Sequence, residues 1–416
     1  MRAINAIKTS PTMNFLIEER RIGNVDYKLS TVPVSFDDLE YIFNVETVLA
    51  GDLMATRVAS QPLDVVKDTD YTFLISGALD APDITVWEIP IREWTGTETV
   101  FEMRVANTAD TLGDVDVYFA PPGTAPVQGN AVGTLSFGEV LPSADYEAGN
   151  YVLIYTAPGN PSIVHFESNE FNLAAQTSTL LSIFEGDAND TYPWSGRAFF
   201  AVGGSGFLSD VRSLSTARLY HASAALLTAD IYDDEALPAP PLVTNHAFHD
   251  VTDDLDFLAG TTLLFYTAAG NSGAPLFDTQ VATFPGSHRH LYVIGDIDTL
   301  VSIAIVPDRR SVETQVRFSF LNTGLNHPLV NLYIVETGTD ITDAFPVLVN
   351  QALGELPNTF GFREGDFDIY LTPAGSETIV TGPIAISTVL GDVLELIAYD
   401  NVLDPMIVDL VSIPLP

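Results

Sequence analysis

The sequence predicts an all-β chain of four tandem antiparallel β-sandwich modules, and three observations predict it. A basic residue followed by an apolar strand ending in Asn or His recurs at Arg2 to Asn5, Arg104 to Asn107, Arg218 to His221 and Arg317 to Asn322. The Asn/His landmarks stand 102, 114 and 101 residues apart, the size of a small domain. Apolar and polar residues alternate with period two in the strands that follow, and each repeat closes on two apolar runs flanking a turn.

The opening strand pair is clearest in the second repeat, where FEMRVAN (Phe101 to Asn107) leads to DVDVYFAPPG, with Val115, Val117 and Phe119 alternating against Asp116 and Tyr118. Such alternation marks strands with one buried face. The third repeat gives ARLYHAS then TADIYDD, and the fourth FSFLNTG then LVNLYIVETG. Next comes an aromatic residue, a short step, Gly and a strand ending at another Gly: Tyr146 to Gly159, Phe257 to Gly270 and Phe362 to Gly375. Glycine before a strand suits a backbone of positive φ. The first repeat offers only LAGDLMATRV, Leu49 to Val58, at this point.

The closing pairs are YTFLISGALDAPDITVWEIP, STLLSIFEGDANDTYPWSGRAFFAV, HLYVIGDIDTLVSIAIVP and LELIAYDNVLDPMIVDLVSIP, hairpins by their Gly, Asp, Asn and Pro turns. No long stretch has helical spacing; SFDDLEYIF from Ser35 is read as at most one turn. Seven or eight strands per hundred residues point to an immunoglobulin-like sandwich. Seams near Trp94 to Glu98, Gly204 to Ser213 and Pro307 to Glu313 divide the chain into modules 1–96, 97–211 (with an inserted loop), 212–311 and 312–416. The seams are short, so adjacent modules should touch and hold a fixed angle, as a stiff rod or compact arc.

Composition bounds the partners. Against 17 Lys and Arg stand 55 Asp and Glu, a net charge of −38 spread over all four repeats. Nucleic acid and anionic membrane surfaces are thereby disfavoured, because binding a polyphosphate needs clustered cations. There are no cysteines, which removes disulfides, thiolate metal sites and a Cys nucleophile. No segment reaches the roughly 18–20 apolar residues of a membrane-spanning helix. The opening MRAINAIKTS reads as a strand, so an export signal is expected to be absent from this version of the chain.

At Arg218 to Tyr232 the residues RLYHASAALLTADIYDD resemble the signature of a bacterial exported-repeat family known as domain of unknown function 4397: Arg218, then His221-Ala222-Ser223, a loop, and Asp230-Ile231-Tyr232. The following LAGTTLLFYTAAG is similar to the family's second landmark. The other repeats depart from it, with Asn5-Ala6, Asn107-Thr108 and Asn322-Thr323 in place of His-Ala-Ser, and Asn14, Asp116 and Asn331 where Asp230 stands. The resemblance implies an exported β-sandwich repeat protein, often lipid-anchored or at the cell surface, with no assigned catalysis.

Five of the seven histidines fall in the third repeat. His288 and His290 would share a strand face, with His246, His249 or Asp250 as a third metal ligand if those loops converge. His221, at a strand end, is read as bonding the backbone. Acidic loops, among them Asp37, Asp38 and Glu40, Asp250 to Asp256, Asp296 and Asp298, and Glu364 to Asp368, are candidates for calcium. Tyr192 and Trp194, in the inserted loop, are candidates for contact with glycans or proteins, or for capping the sandwich edge.

Catalysis is not expected. Ser205 in GGSGF and Ser272 in GNSGA lack the full Gly-x-Ser-x-Gly elbow, and no phosphate loop or dinucleotide fingerprint occurs. These features point to a non-catalytic, extracellular or cell-surface bacterial structural or interaction protein, in its strong form self-associating as a homo-oligomer, filament or layer and in its weaker form a monomeric adhesin-like rod. The alternative is a carbohydrate- or metal-binding surface protein.

Overall fold

The structure, a computed structural model, describes residues 1–186, 192–233, 240–271, 273, 275–355 and 358–415. It is all-β apart from one short 3₁₀ turn, Asp110–Leu112, among the described residues. Two compact units divide it, Met1–Ser213 and Leu214–Pro416, and each contains two of the repeats.

The third repeat shows the plan. Its eight strands are Ser215–His221, Thr228–Tyr232, Val243–Ala247, Leu255–Phe257, Gly260–Ala268, Phe277–Thr283, His288–Ile294 and Val301–Ile305. They form two sheets, in the order fourth-first-seventh-eighth and third-second-fifth-sixth. The fourth repeat keeps both orders, and the second adds one strand to each sheet, Phe171–Leu173 and Ser205–Leu208. The first repeat lacks the fourth strand. Both sheets contribute to one apolar core in each repeat; in the third, Leu219 and Leu291 meet Ile231 and Leu264.

Tandem two-sheet modules therefore stand as expected, but their strand order is not that of an immunoglobulin sandwich, where the first two strands share a sheet. Here those strands lie in different sheets, and the first runs parallel to the seventh: Arg2–Asn5 beside Thr69–Ala78, and Ser215–His221 beside His288–Ile294. Pairing across the whole module joins its ends, which a strand count does not reveal.

These central strands are buried on both faces. In the first unit Ala3, Phe73 and Ile75 point into the first module's core, while the alternate residues Ile4 and Leu74 enter a second layer with Trp87, Ala106, Leu180 and Phe199. That layer lies between the two modules of the unit. In the second unit Tyr220, Tyr292 and Ile294 meet Leu321, Ile397 and Tyr399 in the same way. A strand whose two faces are both covered reads as a continuous apolar run, as in YTFLIS and LELIAY. Polar atoms at the layer's rim find partners: Trp87 Nε1 donates to Gly138 O at 2.9 Å and Tyr27 Oη to Glu185 O at 3.1 Å.

Several local expectations need correction. SFDDLEYIF forms no helical turn; its second half begins the strand Glu40–Thr47. The LAGD segment is the turn after that strand, with Gly51 at φ 83°, not a glycine leading into one. Gly260 and Gly365 open their strands at φ 140° and 143°, but Gly149 is not in the positive-φ region. Arg317 is out of register: the residue level with Arg2, Arg104 and Arg218 is Ser319, set by its pairing with Glu395. Ser205–Leu208 is a strand of the second repeat, which leaves a shorter joint than Gly204 to Ser213.

The shared layers make a quantitative expectation. Leu74→Ala or Ile397→Ala should each cost about 2–5 kcal/mol, the range for truncating a buried aliphatic side chain, although neither residue touches its own module's main core. Denaturant unfolding measures this. A cost below about 1 kcal/mol would mean that the layer between modules is not close-packed.

Candidate functional site

The landmarks first found in the sequence turn out to be structural. Asn5, Asn107 and Asn322 are fully buried at the ends of their strands. Each accepts from a backbone N–H two residues on, at Ile7, Ala109 and Gly324, and each donates back into the same loop, to Ser10, Gly113 and His327. A short amide side chain can imitate a backbone turn in this way. Asp116 and Asp230 likewise accept from Gly159 and Gly270 at 2.7 and 2.8 Å, tying the second strand to the turn after the fifth.

His221 occupies the Asn position in the third module, and it behaves differently. It is 2% exposed and lies against His246, which is 4% exposed, with ring centroids 5.6 Å apart. Among the described residues neither ring nitrogen of either histidine has a hydrogen-bond partner. His221 thus does not make the firm backbone bond expected of it. Burial, reinforced by His246 and opposed by Asp250, lowers its pKa to about 4. Burial lowers that of His246 as well.

The second buried polar cluster lies in the layer between the third and fourth modules. Glu395, 2% exposed, accepts from Tyr220 Oη at 2.8 Å and from His290 Nδ1 at 3.1 Å, and also from Tyr292 Oη. The carboxylate fixes the histidine tautomer, since Nδ1 must carry the proton it donates. Burial alone would raise the carboxyl pKa, but the bonds from His290, Tyr292 and Tyr220 together outweigh it and hold the group below its ordinary value. Burial and the nearby carboxylate push the hydroxyls of Tyr220 and Tyr292 far up. His290 and Glu395 stand at the same register in their modules, each three residues before the partner of the Asn/His landmark; in the first unit those positions hold Thr72 and Leu180.

The residues proposed for metal binding are dispersed. His288 and His290 share a strand, but His288 Nδ1 meets Thr216 Oγ1 at 2.6 Å and Arg309 at 3.0 Å, while His290 is engaged by Glu395. His246 belongs to the other sheet, and Asp296 and Asp298 lie in the exposed turn before Val301–Ile305. His249 packs on Tyr399 and lies 3.8 Å from Asp409. No group of three or more His, Asp or Glu among the described residues is arranged to hold a metal ion.

Of the aromatic candidates, Tyr192 lies under the Arg212 guanidinium at 4.2 Å, itself fixed by Asp210. Trp194 begins the strand Trp194–Phe200 and packs against the second module's core. Residues 187–191 of the inserted loop, and Ser272, lie outside the described residues.

No family model matches the chain, and no curated protein matches it. Among solved structures, "The Bacillus anthracis TIE protein" aligns over 93% of this chain and 68% of its own at 10% identity, with a TM-score of 0.15. That score is too low to carry any inference about fold or role. No helix among the described residues is long and apolar enough to cross a membrane.

Two expectations follow from the buried clusters. The folded pKa of His221 lies below its unfolded value, so the neutral imidazole's contribution is complete above about pH 6.5 and is lost as pH falls toward 4, on the order of 3 kcal/mol. Urea unfolding across that range should show the loss, and His221→Asn, the residue of the other three modules, should remove that part of the slope. Glu395→Ala should cost about 3–5 kcal/mol, because it leaves His290 and two tyrosine hydroxyls unpaired in the layer. The paired change His290→Thr with Glu395→Leu, which copies the first unit, should cost less than that single change; the reverse order would refute the account.

Proposed function

We propose that this chain is a non-catalytic, exported bacterial protein of the cell surface or extracellular space, acting as a structural or interaction scaffold that assembles with further copies of itself. The observation that carries this reading is the paired architecture. Each unit buries the first and seventh strands of two modules on both faces, so two repeats become one stiff body. Such stiffness suits a component that transmits load or presents a surface.

The remaining sheet edges, such as Phe277–Thr283 and Thr381–Thr388, offer unpaired backbone groups for pairing between chains. A net charge of −38 opposes such contact until cations screen it, so divalent ions are the expected trigger. Export and surface placement rest on the resemblance of Arg218 to Tyr232 to an exported-repeat family. Absence of catalysis rests on the use of the buried polar residues as turn clamps and seam bonds.

Electron microscopy with light scattering, with and without calcium, tests the scaffold. Ordered filaments or sheets in calcium, dispersed by a chelator, are the expected outcome. Single particles under both conditions would sink the self-assembly reading.

A further inference from the structure

The layer between modules is built twice, and its rim is finished differently each time. In the second unit the starts of the first and seventh strands and the end of the eighth, including Ser319, Glu395 and Pro307, enclose a space of only about 50 Å³. The corresponding strand ends of the first unit, including Arg2, Arg104, Thr179 and Arg92, open into a cleft of about 980 Å³. The side chains account for the contrast. Where the second unit places His290 and Glu395, the first has the shorter Thr72 and the apolar Leu180. The second unit is further closed by Arg317 on Asp308 at 2.6 Å, while the residue level with Arg317 in the second module is Glu102, which lines the cleft. Pairing of modules does not require an opening, since one unit pairs without it.

The cleft floor is polar and already organised. Arg2, 3% exposed, donates from Nε to Thr72 Oγ1 and from Nη1 to Phe200 O, both at 3.3 Å, and its Nη2 lies 3.7 Å from Asp70. Among the described residues Arg104 donates from Nη2 alone, to Glu102 at 2.8 Å and to Pro90 O at 3.3 Å. A guanidinium carries five N–H donors, so Arg104 keeps Nε and Nη1 for another acceptor. Burial lowers the pKa of both arginines, and Arg104 adds to the cost of carrying charge on Arg2. Thr179 Oγ1 is buried at the floor with no partner among the described residues.

The cleft also concentrates base. Arg2, Lys67, Arg92 and Arg104 line it, four of the chain's 17 Lys and Arg. Asp37, Asp38, Asp68, Asp70 and Glu102 nearly balance them, which makes this a near-neutral patch in a strongly acidic protein. An anion repelled elsewhere meets donors here. Trp94, half-buried beneath Arg92 at 4.0 Å, and Phe36 add flat apolar walls. Guanidinium donors suit a carboxylate, the Asp, Gln and Thr side chains suit hydroxyls, and aromatic faces suit the C–H face of a pyranose. The volume is that of a small-molecule site.

We infer that this cleft binds a short saccharide bearing a carboxylate, with the acid group on Arg104 and Arg2 and a sugar ring beside Trp94. Titration calorimetry on the full chain with trigalacturonate should show one-to-one binding, with galactotriose, the neutral counterpart, at least about tenfold weaker. Arg104→Gln should weaken trigalacturonate at least about tenfold and erase the preference over the neutral sugar, with circular dichroism unchanged. Trp94→Ala, at the rim, should weaken both sugars severalfold, and it serves if Arg104→Gln does not fold. No binding of trigalacturonate, equal binding of the two sugars, or full binding by either folded variant would overturn the proposal. None of these outcomes bears on assembly, which microscopy decides independently.

Discussion

Parallel pairing of the first and seventh strands is the constraint on which the rest of each module depends. It joins residues about seventy positions apart, as Arg2 with Thr72 and Arg218 with His290 show. Because the hairpin to the eighth strand is local, this one long-range pairing fixes which sheet the closing hairpin joins. It also creates a pair of strands at the sheet's centre whose second face is left apolar. Alternation along the strand puts Phe73 and Ile75 in one core and Leu74 in the other, so the module cannot be finished alone. A second module covers the exposed face, and the unit of stability becomes the pair.

The two pairs show how much freedom that arrangement leaves. Apolar residues fill the centre of both layers, Leu74 with Leu180 in one and Tyr292 with Ile397 in the other. At the rim the same backbone positions carry different chemistry. One unit seals its rim with a buried carboxylate held by a histidine and two tyrosines, and the other leaves its arginines lining an open cleft. A buried ion pair adds little net stability over an apolar filling, since desolvation offsets most of its attraction. Its consequence is that removing one member costs much, which makes the sealed seam sensitive to acid while the open one is available to a ligand.

Buried polar residues that invite a functional reading are mostly joints. Asn5, Asn107 and Asn322 clamp the loops that follow them, and Asp116 and Asp230 clamp turns in the opposite sheet. These clamps explain why a buried Asn closes the first strand in three of the four repeats. The third repeat is the exception, for His221 and His246 fill that end of the sandwich without equivalent bonds. Histidine clustering was visible in the sequence, but the grouping was not: His246 faces His221 across the two sheets, and His290 turns into the seam.

The sequence by itself determined that the chain is all-β, that it repeats about every hundred residues, and where most strands and turns fall. These are consequences of local period-two patterning and of Gly, Asn and Pro at turns, which act over a few residues. Only the tertiary structure decided the sheet order, the sharing of a layer between modules, and which polar side chains meet. Those outcomes depend on contacts between residues far apart in the chain, and a strand covered on both faces has the same apolar spelling whatever covers it. The cleft is the extreme case. Arg2 and Arg104 read in the sequence only as the basic residues that open a repeated strand, and nothing there marks Leu180 as their neighbour; they line one cleft because two modules pack with their strand ends together.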